Sequence, residues 1–255
     1  MNLRTVKAIR YVMPLREGGS LPAIIEADDD GLYVLKFRGA GQGVKALIAE
    51  LLGGEIARFL NLKVSEIVFV ELDAELARTE PDPEIQDLIR ASGGVNLALD
   101  YLPGSITFDP LIQLIDSELA SKIVWFDAFT ANVDRTPRNA NMLLWHKKLW
   151  LIDHGAAFFY HHNQDTFLSN ATNPFRQIKD HILLPFADEI EQADAELSAK
   201  LTPDVLWEVV NLIPDEWLDD AEKERGVYFQ FLTERLKEPR DFAKEATDAR
   251  KSLPV

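Results

Sequence analysis

Residues 132–155 read NVDRTPRNANMLLWHKKLWLIDHG. Two apolar runs, Met142 to Trp145 and Leu149 to Ile152, flank the polar turn His146-Lys147-Lys148, which predicts an antiparallel hairpin centred on Lys147. Residues equidistant from Lys147 would then face one another, setting Asn141 across from Asp153. Asn139 falls one step beyond the strand end, and Asp134 in the loop before it. An aspartate facing an asparagine offers the carboxylate and amide oxygens that a hard cation such as Mg²⁺ takes, with positions left for phosphate oxygens and water. A carboxylate slightly upstream is free to orient or deprotonate an acceptor hydroxyl. Each piece alone also reads as an ordinary turn of Asp, Asn, Pro and Gly. Their conjunction points to phosphoryl transfer.

The N-terminal part supplies a complementary half. Arg16 to Pro22, REGGSLP, precedes the apolar run Ala23-Ile24-Ile25, an acidic turn at Asp28-Asp29-Asp30-Gly31 and a second run, Leu32-Tyr33-Val34-Leu35. This is a strand-turn-strand pattern. Gly18, Gly19 and Ser20 make a loop whose backbone N–H groups suit phosphates, and Lys36 ends the second strand. From Val44 to Leu60, the residues Leu47, Ile48, Leu51, Leu52, Ile56, Phe59 and Leu60 share one helical face, with Asn61 as a C-terminal stop. Glu50 lies on that helix within reach of Lys36. A lysine held by a helical glutamate can aim its ammonium at the α- and β-phosphates of a nucleotide.

With lysine, helical glutamate, aspartate, asparagine and second aspartate in this order, the chain resembles the protein-kinase-like superfamily and, within it, the HipA-like kinases. The resemblance runs from about Arg16 to Gly155 and rests on Gly18-Gly19-Ser20, Val34-Leu35-Lys36-Phe37, Ala49-Glu50, Asn132-Val133-Asp134-Arg135, Asn139 and Ile152-Asp153-His154-Gly155. Asn-x-Asp-Arg followed by Ile-Asp-x-Gly is also similar to type II phosphatidylinositol 4-kinases. The resemblance implies an α+β, bilobal protein-kinase-like fold. A small β-rich N-lobe would span 1–100, with one main helix at 44–60; a mostly helical C-lobe would span 101–255 and carry the catalytic loop and metal-binding hairpin. It implies ATP and Mg²⁺ as cofactors, Asp134 as catalytic base, and Lys36 paired with Glu50 and the nucleotide phosphates. Asn139 and Asp153 would hold the metal, with Asn141 as the alternative that the lipid-kinase pattern favours. Gly18, Gly19 and Ser20 would cover the phosphates, while Leu99, Asp100 and Tyr101 would meet the adenine. Ser20 would also be a regulatory phosphorylation site.

The implied acceptor is a hydroxyl, a Ser or Thr of a protein, with a lipid or small molecule as the alternative. A nucleotide-binding scaffold without transfer is the rival reading for the whole chain. Thr136 stands where HipA kinases often have histidine, and the chain before Arg16 is too short for their extra N-terminal subdomain, so the resemblance implies the core alone.

The remaining pattern fills in this outline. Ser65 to Leu72 reads as a strand, Pro81 to Ala91 as an insertion with a short helix, and Val95 to Leu99 as the strand leading to the lobe boundary at Tyr101-Leu102-Pro103-Gly104. Asp116 or Ser117 caps a helix through Ala131, with Leu119, Ile123, Phe126 and Phe129 as its buried stripe. Ala156 to Phe175, with Phe158, Phe159, Tyr160 and Phe167, is the segment expected to shape acceptor specificity. Thr202-Pro203 opens a helix to Ile213, a second runs from Trp217 to Leu236, and the tail from Arg240 reads as polar and frayed.

At 255 residues and 47% hydrophobic, the chain can bury a substantial core. It has no cysteine, which excludes disulfides, thiolate nucleophiles and zinc–thiolate sites. Its start lacks the apolar core of a signal peptide and no run reaches membrane-spanning length, so a cytoplasmic protein without membrane insertion is expected. The net charge of -15 repels phosphate backbones and anionic headgroups. Nucleic-acid binding is therefore not expected, and a phosphoinositide substrate is disfavoured. After Phe186 the chain carries 18 acidic against 9 basic residues; solvated helical faces account for most of these, and a basic protein partner is the sharper reading. A metal hydrolase using Asp153, His154, His161 and His162 is disfavoured because adjacent histidines on a strand point to opposite faces.

Overall fold

The computed structural model describes residues 2–15, 21–41 and 43–253 of a mixed α+β chain. Gly18, Gly19 and Ser20 lie outside them. Strands β1 (Thr5–Pro14), β2 (Ala23–Ala27), β3 (Leu32–Lys36), β4 (Ile67–Leu72) and β5 (Gly94–Asp100) close into a barrel in the order β1-β2-β3-β5-β4. Closure is made by a parallel pairing of β1 with β4, Thr5 opposite Phe69 through Lys7 opposite Glu71; the other neighbours are antiparallel. Alternate side chains such as Val6 and Ala8, Tyr33 and Leu35, and Val68 and Val70 fill the interior.

Helix α1 (Gly43–Phe59) crosses between this barrel and the C-terminal helices, touching β4 and β5 on one side and the helix Pro203–Val210 on the other. Being covered on both sides, it is buried from Leu47 through Ala57, not on one stripe. Glu50 is therefore only 1% exposed. A Cβ at Gly53 would stand 3.0 Å from the Cβ of His154, so the absent side chain lets the helix close on the Asp153-His154 segment. Asn61, in the left-handed region at φ 63°, turns the chain away. Helix α2 (Pro83–Ala91) buries Ile85 and Ile89 in the barrel's apolar cluster and is capped by Asp82, which accepts the Glu84 N–H.

Helix α3 (Ser117–Thr130) begins at Asp116, whose carboxylate accepts the Leu119 N–H at 2.9 Å. It too is buried far beyond the expected stripe, because α4 (Ile190–Lys200) and α7 (Asp241–Lys251) pack against it. Among the expected stripe residues Ile123, Phe126 and Phe129 are buried and Leu119 is half-buried. Helix α5 (Pro203–Val210) ends before Ile213, and α6 (Ala221–Arg235) starts four residues after Trp217, capped by Asp220. Trp217 sits in a separate turn because its ring packs on Phe69 and its Nε1–H donates to the Val95 carbonyl at 3.0 Å. The frayed tail expected after Arg240 is instead α7, which buries Phe242, Ala243 and Ala246 and sets Phe242 against Trp125 and Phe129.

The decisive hairpin forms with one change. β7 (Met142–Trp145) and β8 (Lys148–Leu151) join through a two-residue turn, His146-Lys147, both at positive φ (48° and 61°). Met142 pairs with Leu151 and Trp145 with Lys148, so the hairpin is centred between His146 and Lys147, not on Lys147. Asn141 consequently lies opposite Ile152, whose N–H donates to its carbonyl at 3.0 Å, and Asp153 is one residue further on. Paired left-handed turns match the twist of antiparallel strands, which is why two residues suffice. The short strand β6 (Ile106–Thr107) adds to the outer edge of β7.

Candidate active site

Three charged side chains meet where β3, α1 and the end of β8 come together. Lys36, last in β3, donates from Nζ to Asp153 Oδ1 at 2.8 Å and lies 3.6 Å from Glu50 Oε2. Burial alone would lower the ammonium's pKa, but the two carboxylates reverse this and leave it raised, so the lysine is charged. Burial would likewise raise the Glu50 carboxyl; Lys36, helped by His154, brings it down to about 2. Asp153 has a side chain 40% exposed, at φ 55°. That backbone region is tolerated by aspartate and asparagine, and Asn141 at the opposite strand end adopts it too, at φ 47°. Phe37, Ala40, Gly43, Ala46, Leu47 and Gly155 complete a cleft around Lys36, Glu50 and Asp153 of about 340 Å³, its open mouth included.

The second cluster is built on the loop between α3 and β7. Thr136 and Asn139 exchange backbone hydrogen bonds, each 3.0 Å, across Pro137-Arg138, and this tight turn carries Asn139 back toward Asp134. Asn139 Nδ2 donates to Asp134 Oδ2 at 2.8 Å and Asn141 Nδ2 to the same oxygen at 3.2 Å. Both amide oxygens are thereby turned away from the carboxylate. The Asp134 N–H donates to Asn132 Oδ1 at 3.1 Å. The two clusters are joined through the bond between Asn141 and Ile152, next to Asp153.

Leu99, Asp100 and Tyr101 stand at the end of β5 beside β3, Val34 opposite Leu99 and Tyr33 opposite Asp100. Two of their N–H groups are already committed: Asp100 donates to the Glu66 carbonyl at 2.8 Å and Tyr101 to that of Leu32 at 2.9 Å. Of the aromatic residues expected to shape acceptor choice, Phe158, Phe167 and Phe175 are core, Phe167 stacking on Phe231; Phe159 is exposed. The segment is pinned by Phe158 N–H to the Thr130 carbonyl at 2.6 Å and by Lys45 Nζ to the His161 carbonyl at 2.6 Å. His161 turns its Nδ1 to the Tyr228 hydroxyl at 3.0 Å, and no group of three or more His, Cys, Asp or Glu side chains that could hold a metal ion occurs among the described residues.

A family model described as HipA-like kinase matches residues 8–242. The chain belongs to the HipA-like kinase family. This kinase also shares its fold with the crystal structure of a Helicobacter pylori proinflammatory kinase, CtkA, at TM-score 0.61 and 12% identity, over 98% of this chain and 100% of that one. No curated protein matches it in sequence. No helix among the described residues of this HipA-like kinase is long and apolar enough to cross a membrane.

His154 stands in the sequence as part of the Ile152–Gly155 motif, but its partnership with Glu50 was not legible there. His154, fully buried, points Nδ1 at Glu50 Oε1 across 3.4 Å. A carboxylate only accepts, so Nδ1 carries the proton. A histidine directly after a candidate metal-binding aspartate was the available signal.

Proposed function

We propose that this HipA-like kinase is an ATP- and Mg²⁺-dependent protein kinase of two-lobed build, with the barrel and α1 above the cleft, the helices from α3 onward below it, and a serine or threonine as acceptor. The observation that carries the reading is the trio Lys36, Glu50 and Asp153, a buried cation shared by two carboxylates at the mouth of a cleft, bonded through one strand end to the Asp134 cluster. The donor set fits the cofactors. A lone partly exposed carboxylate cannot enclose a cation, and suits Mg²⁺, which keeps waters and phosphate oxygens as ligands. Asp153 with Asn141 or Asn139 would hold the metal. Asn141 is favoured over Asn139 because its backbone is bonded beside Asp153.

Mg·ATP supplies the γ-phosphoryl group and screens its charge. Lys36, steadied by Glu50, would bind the α- and β-phosphates. Asp134 has Oδ2 filled by the two asparagine amides; Oδ1 is the oxygen left to take the hydrogen bond, and then the proton, of an acceptor hydroxyl. With the Asp100 and Tyr101 N–H groups engaged, the donor to the adenine would be the Leu102 N–H, which reaches no backbone carbonyl among the described residues. The test is calorimetric titration of ATP with and without Mg²⁺, on the natural protein and on Asp153→Ala. Metal-dependent binding lost in the variant supports the reading. Binding of neither form refutes it and leaves a scaffold that takes no nucleotide.

A further inference from the structure

Asp127 is a carboxylate in the last turn of an otherwise apolar helical stretch, IVWFDAFT, and is fully buried. An ionised group there must be matched by donors. It is, and every one comes from outside α3. Arg135 Nε donates to Oδ2 at 2.6 Å, His181 Nε2 to the same oxygen at 2.8 Å, and Asn132 Nδ2 to Oδ1 at 2.9 Å. Burial would raise the carboxyl's pKa, yet Arg135 and His181 together hold it well below the usual carboxylate range.

Two of these donors, Asn132 and Arg135, bracket Asp134. Asn132 accepts the Asp134 N–H with its other amide atom. Arg135 reaches on from Asp127 to donate from Nη1 to the carbonyl of Asn141, the residue at positive φ that touches Asp134 from the far side. His181 brings in a distant stretch of chain, the end of the segment that leaves the cleft after Gly155. Its Nδ1 accepts the Leu183 N–H at 3.0 Å, which fixes the proton on Nε2 and makes the imidazole a neutral donor to Asp127. The next residue seals the junction, Ile182 N–H donating to the Arg135 carbonyl at 3.1 Å.

We infer that Asp127 and His181 are positioning residues: a buried carboxylate on α3 gathers Asn132, Arg135 and His181 and so sets where the Asp134 carboxylate stands, while His181 ties the segment following the cleft to that setting. The inference rests on the proposed role of Asp134 for its catalytic consequence, but the brace itself can be tested without turnover.

The experiment compares the natural protein with His181→Leu, which removes the donor, and His181→Gln, which restores an N–H toward Asp127. In the natural protein, ¹⁵N spectra of the imidazole should show the Nε2–H form; the Nδ1–H form would overturn the inference and requires no variant to fold. Hydrogen exchange at the Asp134 amide, on the far side of Asp127, should quicken in His181→Leu and return toward the natural rate in His181→Gln. A purely local packing role would quicken only Ile182 and Leu183 and would count against the brace. Turnover, read as labelled phosphoryl transferred from γ-labelled ATP to a mixture of serine- and threonine-containing peptides and to the protein itself, should fall about tenfold or more in His181→Leu with the KM for ATP nearly unchanged, since a misplaced base costs rate and not nucleotide affinity. If exchange responds as stated while the natural protein transfers no label, the brace stands and the kinase reading fails. If turnover is present but insensitive to both variants, the brace does not position Asp134.

Discussion

At Lys36 a single ammonium answers two carboxylates, one of which, Glu50, burial would otherwise discharge. Lys36→Met should cost about 3 kcal/mol of stability, because Glu50 is left uncompensated, and should lower kcat/KM by about a hundredfold or more; urea unfolding and ATP turnover measured side by side separate the two losses. A second residue-scale expectation concerns acid. Burial first, then His162 and Lys45, lower the His161 pKa to about 3, while its Nδ1 meets the Tyr228 hydroxyl. Below the ordinary 6.5 the unfolded chain takes a proton that the folded one refuses. Stability from this group is complete above that pH and is lost as pH falls toward 3, at roughly 1 kcal/mol per pH unit. The denaturation midpoint of the natural protein should therefore drop more steeply from pH 6.5 to pH 5 than that of His161→Phe. The residues of the two polar clusters, Lys36 with Glu50 and Asp153, and Asp134 with Asn139 and Asn141, were legible in sequence because Lys, Glu, Asp and Asn carry chemistry at recognisable spacings. Asp127 and His181 were not, since their partnership crosses 54 residues; the one clue was a lone charge inside an apolar helical run.

Elements were legible where a period or a cap announced them, as with α1, α3 and the Thr202-Pro203 start of α5. They were missed where packing on a neighbour overrode local pattern. α7 is polar along most of its length and is a helix because it buries Phe242, Ala243 and Ala246, with Phe242 against Trp125 and Phe129 of α3. Phe242→Ala should cost about 3 to 5 kcal/mol in chemical denaturation, the range for emptying a buried aromatic site. The hairpin register was misplaced because neither His146 nor Lys147 is the glycine or asparagine that usually marks such a turn. Its geometry gives a sharp expectation. Deleting Lys147 alone leaves too few residues for the turn and forces β7 and β8 to slip by one, turning alternate side chains to the wrong face. Replacing Trp145 to Lys148 by Asn-Gly removes two residues and keeps Leu144 opposite Leu149. ATP·Mg²⁺ affinity should be lost in the first variant and retained within about threefold in the second.

Over the whole molecule the net charge of -15 opposes compaction, and the surface ion pairs that offset it, such as Arg78–Glu75 and Lys200–Glu196, are exposed and weak. Raising salt from about 0.01 to about 0.3 M shortens the screening length and should raise the thermal midpoint by a few degrees; a fall would mean that the pairs outweigh the repulsion. The mixed α+β class was legible from strand runs followed by helical ones. Barrel closure was not, because no local pattern reports that β1 lies beside β4. That pairing fixes an order of events in biosynthesis. β1 leaves the ribosome before its partner exists, and Phe69 to Glu71, which Thr5 to Lys7 must meet, emerge some sixty residues later. Until then the nascent β1–β2–β3 meander carries an unpaired backbone edge at β1, and its β3 edge stays open until β5 follows, so the chain is open to pairing with a stranger until Asp100 has been made.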